Sequence, residues 1–87
     1  MEDITLGQLV HSKAGRDKGK YFIIIDILDN DYVMLVDGDL RKLGNPKKKK
    51  IKHLVFHDVI AEEITKALKE KQSIIDSQIR KCLQSIN

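Results

Sequence analysis

The chain has 87 residues, 41% hydrophobic and 33% charged, enough for one folded domain and too few for two independent ones. A chain this short buries only about 60% of the surface its unfolded form exposes, so a deep catalytic cavity would compete with the core for side chains. The formal charge of +3 conceals an asymmetry: residues 13–20 and 41–52 hold eleven of the 16 Lys and Arg with one acid, Asp17, a sum of +10, while the rest, with five bases and twelve acids, sums to −7. Such concentration favours an anionic polymer as partner.

In chain order, Met1-Glu2-Asp3 is acidic where a secretory signal begins basic and turns apolar. Leu6–Ser12 is a short strand candidate. Tyr21–Asp29 is β-branched and aromatic, with Tyr21, Ile23, Ile25 and Ile27 at odd positions and Phe22, Ile24, Asp26 and Leu28 at even ones. Both faces are largely apolar, so one should line an interior and the other should be partly covered. Asp29-Asn30-Asp31 turns the chain into a third strand, Tyr32–Val36. Asp37-Gly38 suits a two-residue hairpin turn leading to Leu40–Leu43. Gly44-Asn45-Pro46 breaks that strand, and Ile51–Val55 is the fifth candidate. Five short strands in some 50 residues predict a small closed or nearly closed barrel.

Composition changes after His57. Residues 58–87 hold five bases and five acids, and Ile60, Ile64, Ala67 and Leu68, then Ile75, Ile79, Cys82, Leu83 and Ile86, recur at helical spacing. Asp58 can cap a first helix, and Ser73 with Asp76 resembles a capping box for a second. Helices this short are marginal alone, so their apolar stripes should pack on the barrel's second face. The expected organisation is a barrel over residues 1–57 with a helical extension over 58–87, as one folding unit. The longest stretches free of polar residues, Tyr21–Ile25 and Tyr32–Val36, have five residues against about 20 for a membrane span. A lone cysteine, Cys82, makes no internal disulfide, and the cytosol is the expected compartment.

Gly7–Gly19 resembles the KOW motif: a strand, a basic glycine loop with Lys13, Gly15, Arg16, Lys18 and Gly19, then a second strand from Tyr21. The likeness continues through Asp37-Gly38, Arg41-Lys42, Pro46-Lys47-Lys48-Lys49 and Lys52-His53-Leu54. It is to the archaeal and eukaryotic large-subunit ribosomal protein family called fourteen-e and to its small bacterial KOW-domain relatives. It covers about residues 5–56. The resemblance implies an SH3-like five-stranded β-barrel that binds ribosomal RNA, with His53 among the contacts.

The residues support RNA binding independently. Gly15 and Gly19 permit a sharp turn whose amides can form a concave anion site. Lys13, Arg16, Lys18 and Lys20 would surround it, and the planar fork of Arg16 can hold a phosphate bidentately or stack on a base. Asp17 is expected to pin the loop. Lys47, Lys48, Lys49, Lys50 and Lys52 place five lysines in six positions, which resist ordering unless a polyanion neutralises them. They also suit an edge strand, where lysines discourage aggregation. Arg41 and Lys42, with His53 as the resemblance implies, complete the expected surface. Tyr21, Phe22, Tyr32 and Phe56 lie on strands or at their ends and are expected in the core, which favours phosphate and shape recognition over base stacking.

Other signals fail. Gly15–Tyr21 has three residues between its glycines instead of four, and Tyr21 stands where a P-loop needs Ser or Thr. Asp29-Asn30-Asp31 continues into Val33 and Met34, where a calcium loop needs an acid and a glycine. Between His53 and His57 stands Leu54 where a zinc protease has its glutamate. Cys82 lies on an apolar stripe. No catalytic residue, metal or cofactor is expected. The alternative to an RNA-binding protein is a KOW-type protein-interaction module whose docking face is Ile75, Ile79, Leu83 and Ile86.

Overall fold

The two apolar faces of the strand around Ile23 organise the molecule. The computed structural model describes residues 4–86, with only the backbone of Ile86; the reading of Met1-Glu2-Asp3 and the Ile86 side chain lie outside them. Five strands form one antiparallel sheet: β1 (Gln8–Ser12), β2 (Tyr21–Ile27), β3 (Tyr32–Val36), β4 (Lys47–Lys50) and β5 (Leu54–Ile60), in the order β4-β3-β2-β1-β5. A single 3₁₀ turn, Ile51–His53, joins β4 to β5, and two helices follow, α1 (Glu62–Lys69) and α2 (Asp76–Ile86).

Successive residues of a strand point to opposite faces. Phe22 and Ile24 of β2 meet Val10 of β1, Val33 and Leu35 of β3 and Leu54 of β5 in one buried cluster, bordered by Ile4, Leu6, Ile51 and Phe56. Ile23 points the other way. With Leu9 and Val36 it packs against Ala61, Ile64 and Ile79, and Ile25, Leu43, Leu68, Ile74, Cys82 and Leu83 close around them. The helices thus supply the second half of the core. Each fully buried side chain of this size stabilises by about 1.5–3 kcal/mol, so neither layer is dispensable in so small a domain.

Several expectations need correction. Leu40–Leu43 is not a strand: residues 37–46 form a loop, and Leu40 is 70% exposed. Asp37-Gly38 is not a two-residue hairpin. The Asp37 carboxylate accepts the Asp39 and Arg41 amides, both at 2.9 Å, and the loop runs on to the lysine run. That run is itself β4, paired Tyr32↔Lys50 through Leu35↔Lys47. Ile51–His53 is the 3₁₀ turn, and the fifth strand starts at Leu54 and continues to Ile60. β4 and β5 are the edges of the sheet, and no ladder pairs them among the described residues, so the barrel is not closed.

The helix caps also differ. Asp58 is on β5, and the residue preceding α1 is Ala61, without a side-chain cap. Ser73 and Asp76 form no capping box. Gln78 Oε1 accepts the Ile75 amide at 2.9 Å, and Asp76 Oδ1 accepts the Leu43 amide at 2.7 Å, which fastens the 37–46 loop to α2.

Candidate nucleic-acid interface

Gly15 and Gly19 hold φ of +78° and +85°. Beside Gly19 there is open space, and beside Gly15 only the Lys49 amine at 3.6 Å, so positive φ and not crowding requires glycine at both places. The loop is closed from within. Gly19 N–H donates to Ser12 O at 2.7 Å, Lys20 N–H to Asp17 O at 2.8 Å and Lys18 N–H to Gly15 O at 3.3 Å. These three amides are therefore spent, which leaves the expected anion site the amides of residues 14–17. Lys13, Arg16, Lys18 and Lys20 are exposed.

Alternation along β4 divides the lysines. Lys47 and Lys49 turn toward the β1–β2 loop: the Lys47 amine pairs with the Asp17 carboxylate, and Lys49 Nζ donates to Ala14 O at 3.2 Å. Burial and the neighbouring Lys49 hold the Lys47 amine below the usual lysine range, against the pull of Asp17. Asp17 thus pins the loop to β4. Lys48 and Lys50 point the other way, 4.5 and 6.0 Å from the ring centre of Tyr32. β4 is also an edge strand, so its lysines stand where they discourage addition of a further strand.

The 3₁₀ turn joins the same surface, because Lys13 N–H donates to His53 O at 2.9 Å. His53 is half-buried; loss of water around its ring, then the charges of Lys52, Lys49, Lys50 and Lys13, lower its pKa from the usual histidine value. Loop, β4 and 3₁₀ turn therefore meet. Arg41 and Lys42 lie in the loop fastened to α2 and bond locally: Arg41 O accepts the Asp37 and Gly38 amides, and Lys42 O accepts the Asn45 amide at 2.8 Å.

One cluster beside the loop has no signature in the sequence. His11 Nδ1 and His57 Nε2 lie 2.7 Å apart, one ring donating and the other accepting. Tyr21 completes the group, with its ring centre 5.3 Å from His11 and 5.5 Å from His57. Tyr21 is 39% exposed, which corrects its expected place in the core. Phe22 is buried, Phe56 borders the inner cluster, and Tyr32 is half-buried under lysines. Among the described residues no group of three His, Cys, Asp or Glu could hold a metal ion. No described helix is long and apolar enough to cross a membrane. Of the suggested docking stripe on α2, Ile79 is fully buried and Leu83 packs on the core, while Ile75, just before the helix, is 61% exposed.

No protein-family model matches the chain. It is similar to large ribosomal subunit protein eL14 of Desulfurococcus amylolyticus, with 32% identity over 84 residues, covering 95% of this chain and 79% of that protein.

Proposed function

Since the chain belongs to the family of large ribosomal subunit protein eL14, we propose that it binds structured ribosomal RNA by phosphate and shape contacts, as a non-catalytic ribosomal component in the cytoplasm. On this reading the sheet is an SH3-like unit of the KOW kind. The contact surface comprises the loop residues Lys13, Gly15, Arg16, Lys18, Gly19 and Lys20, the run Lys47–Lys50, and Lys52 and His53. Arg41 and Lys42 form an outlying part of it.

The observation that carries the proposal is the meeting of two distant basic segments, through Lys49 and Ala14, Lys47 and Asp17, and Lys13 and His53. Apart from the Asp17 pair and these two hydrogen bonds the segments carry like charge, so their joint field favours a polyanion. Arg16 is exposed at the loop tip, and a charge-assisted hydrogen bond from it is worth roughly 1.5–3 kcal/mol. Arg16→Glu should weaken binding to a structured ribosomal RNA fragment by about tenfold or more in an anisotropy titration. Lys69→Glu, on the neutral α1, should weaken it by less than about threefold. Equal losses for the two variants would overturn the proposed surface.

A further inference from the structure

Where β2 turns into β3 beside the 3₁₀ turn there is a cavity of about 410 Å³, lined by Asn30, Asp31, Tyr32, Lys50, Ile51 and Lys52. Its size is in the range of small-ligand sites. Its frame is fixed by the backbone. Asp31 O accepts the Ile51 amide at 2.8 Å, tying the turn to the 3₁₀ segment. Asp29 Oδ1 accepts the Asp31 and Tyr32 amides, both at 2.8 Å, so Asp29 is occupied in holding the turn.

We propose that this cavity takes one unpaired nucleotide of the bound RNA, with its base against Tyr32. The inference rests on the RNA-binding reading and adds a subsite to it. Phosphate contact alone would need only the lysines. The cavity adds an aromatic ring, which any base can stack on, and the amide and carboxylate of Asn30 and Asp31, which can meet the polar edge of a base. The Asp31 carboxylate, in a lining whose cations are Lys50 and Lys52, disfavours a bare phosphate and suits a group that presents N–H donors. Lys50 and Lys52 are exposed on the wall that continues toward His53 and the β1–β2 loop, where the phosphates of the same strand would run. Lys48 covers the Tyr32 ring in the free protein; as an exposed, unbranched side chain it can swing away to a phosphate when a base arrives. A base inside a duplex cannot reach the ring, so the subsite selects a bulge or loop nucleotide.

The test uses the full chain and two RNA hairpins with the same stem, one fully paired and one carrying a single bulged 2-aminopurine. Stacking against one aromatic ring corresponds to about a tenfold gain, so the protein should bind the bulged hairpin about tenfold tighter and quench its fluorescence. Tyr32→Phe should keep the preference and the quenching, and Tyr32→Leu should lose both while keeping its affinity for the paired hairpin. Asp31→Ala removes an exposed negative charge: it should tighten paired binding and narrow the ratio between the hairpins. Equal affinity of the unaltered protein for both hairpins overturns the subsite and leaves RNA binding intact. So does a preference that survives Tyr32→Leu, or, should that variant not fold, one that Asp31→Ala leaves undiminished. Failure of the folded protein to bind either hairpin overturns the RNA-binding reading and the subsite with it.

Discussion

Gly7 joins the first strand, the second strand and the start of α1, and replacing it with alanine should be costly. Its amide donates to Ile24 O at 2.7 Å, and its carbonyl accepts the Ala61 amide at 2.8 Å, so the backbone there cannot drift. Its φ is +86°, a conformation that costs a residue with a Cβ about 1–2 kcal/mol. The added methyl would overlap the Thr65 hydroxyl and press on Ala61 O at 3.0 Å. Thr65 would have to turn away and give up its 2.5 Å hydrogen bond to Leu6 O, a further loss of about 1 kcal/mol. Together these give about 3 kcal/mol. The whole stability of a chain this size is roughly 4–13 kcal/mol. At 4–8 °C per kcal/mol, Tm should fall by about 12–24 °C in a circular dichroism melt. Adding Thr65→Ala relieves the overlap, so the double variant should be more stable than the two single losses added together, by about 1 kcal/mol. A fall in Tm of less than about 4 °C for Gly7→Ala, or strict additivity in the double variant, would refute this reasoning.

The two remaining perturbations concern titration. His53 is held below its usual pKa by loss of water and by four lysines, so RNA phosphates that offset those charges should raise it. Binding then takes up a proton between the free and bound values, and affinity rises as pH falls through that window. An NMR titration of the His53 ring with and without RNA should give the higher value in the complex; unchanged values would contradict the placement of His53 at the interface. Burial, and then the 3.4 Å hydrogen bond from its Sγ to Glu63 Oε1, push the Cys82 thiol up, so iodoacetamide should alkylate the folded protein more slowly than free cysteine at neutral pH, with the difference lost in denaturant. Alkylation at the free-cysteine rate in the folded state would contradict the burial.

The strand from Tyr21 was legible because its apolar residues occupy both parities, and the structure puts Phe22 and Ile24 in one core layer and Ile23 in the other. The helices were legible from spacing. The lysine run was not read as a strand, because like charges at adjacent positions repel. Alternation resolves the conflict: Lys47 and Lys49 find Asp17 and Ala14 O, while Lys48 and Lys50 find Tyr32. Leu40 and Leu43 looked like strand residues, yet the Asp37 carboxylate captures the Asp39 and Arg41 amides and Asp76 captures that of Leu43. The basic loop could be read from its glycines. The contact between His11 and His57, 46 residues apart, depends on the pairing of β1 with β5, and no local spacing announces it.

On the proposed reading the basic loop, the lysine strand and the 3₁₀ turn engage one RNA together, and the salt dependence of binding reads out that joint engagement. Lys13, Arg16, Lys18, Lys20, Lys48, Lys50 and Lys52 are all exposed there. If about five of them meet phosphates, at roughly 0.7–0.9 of slope each, log K against log salt should fall with a slope of about −3.5 to −4.5. Affinity for a structured ribosomal RNA fragment should then drop at least about a hundredfold between about 50 and 200 mM salt, and a slope shallower than about −1 would rule out joint engagement of the three elements.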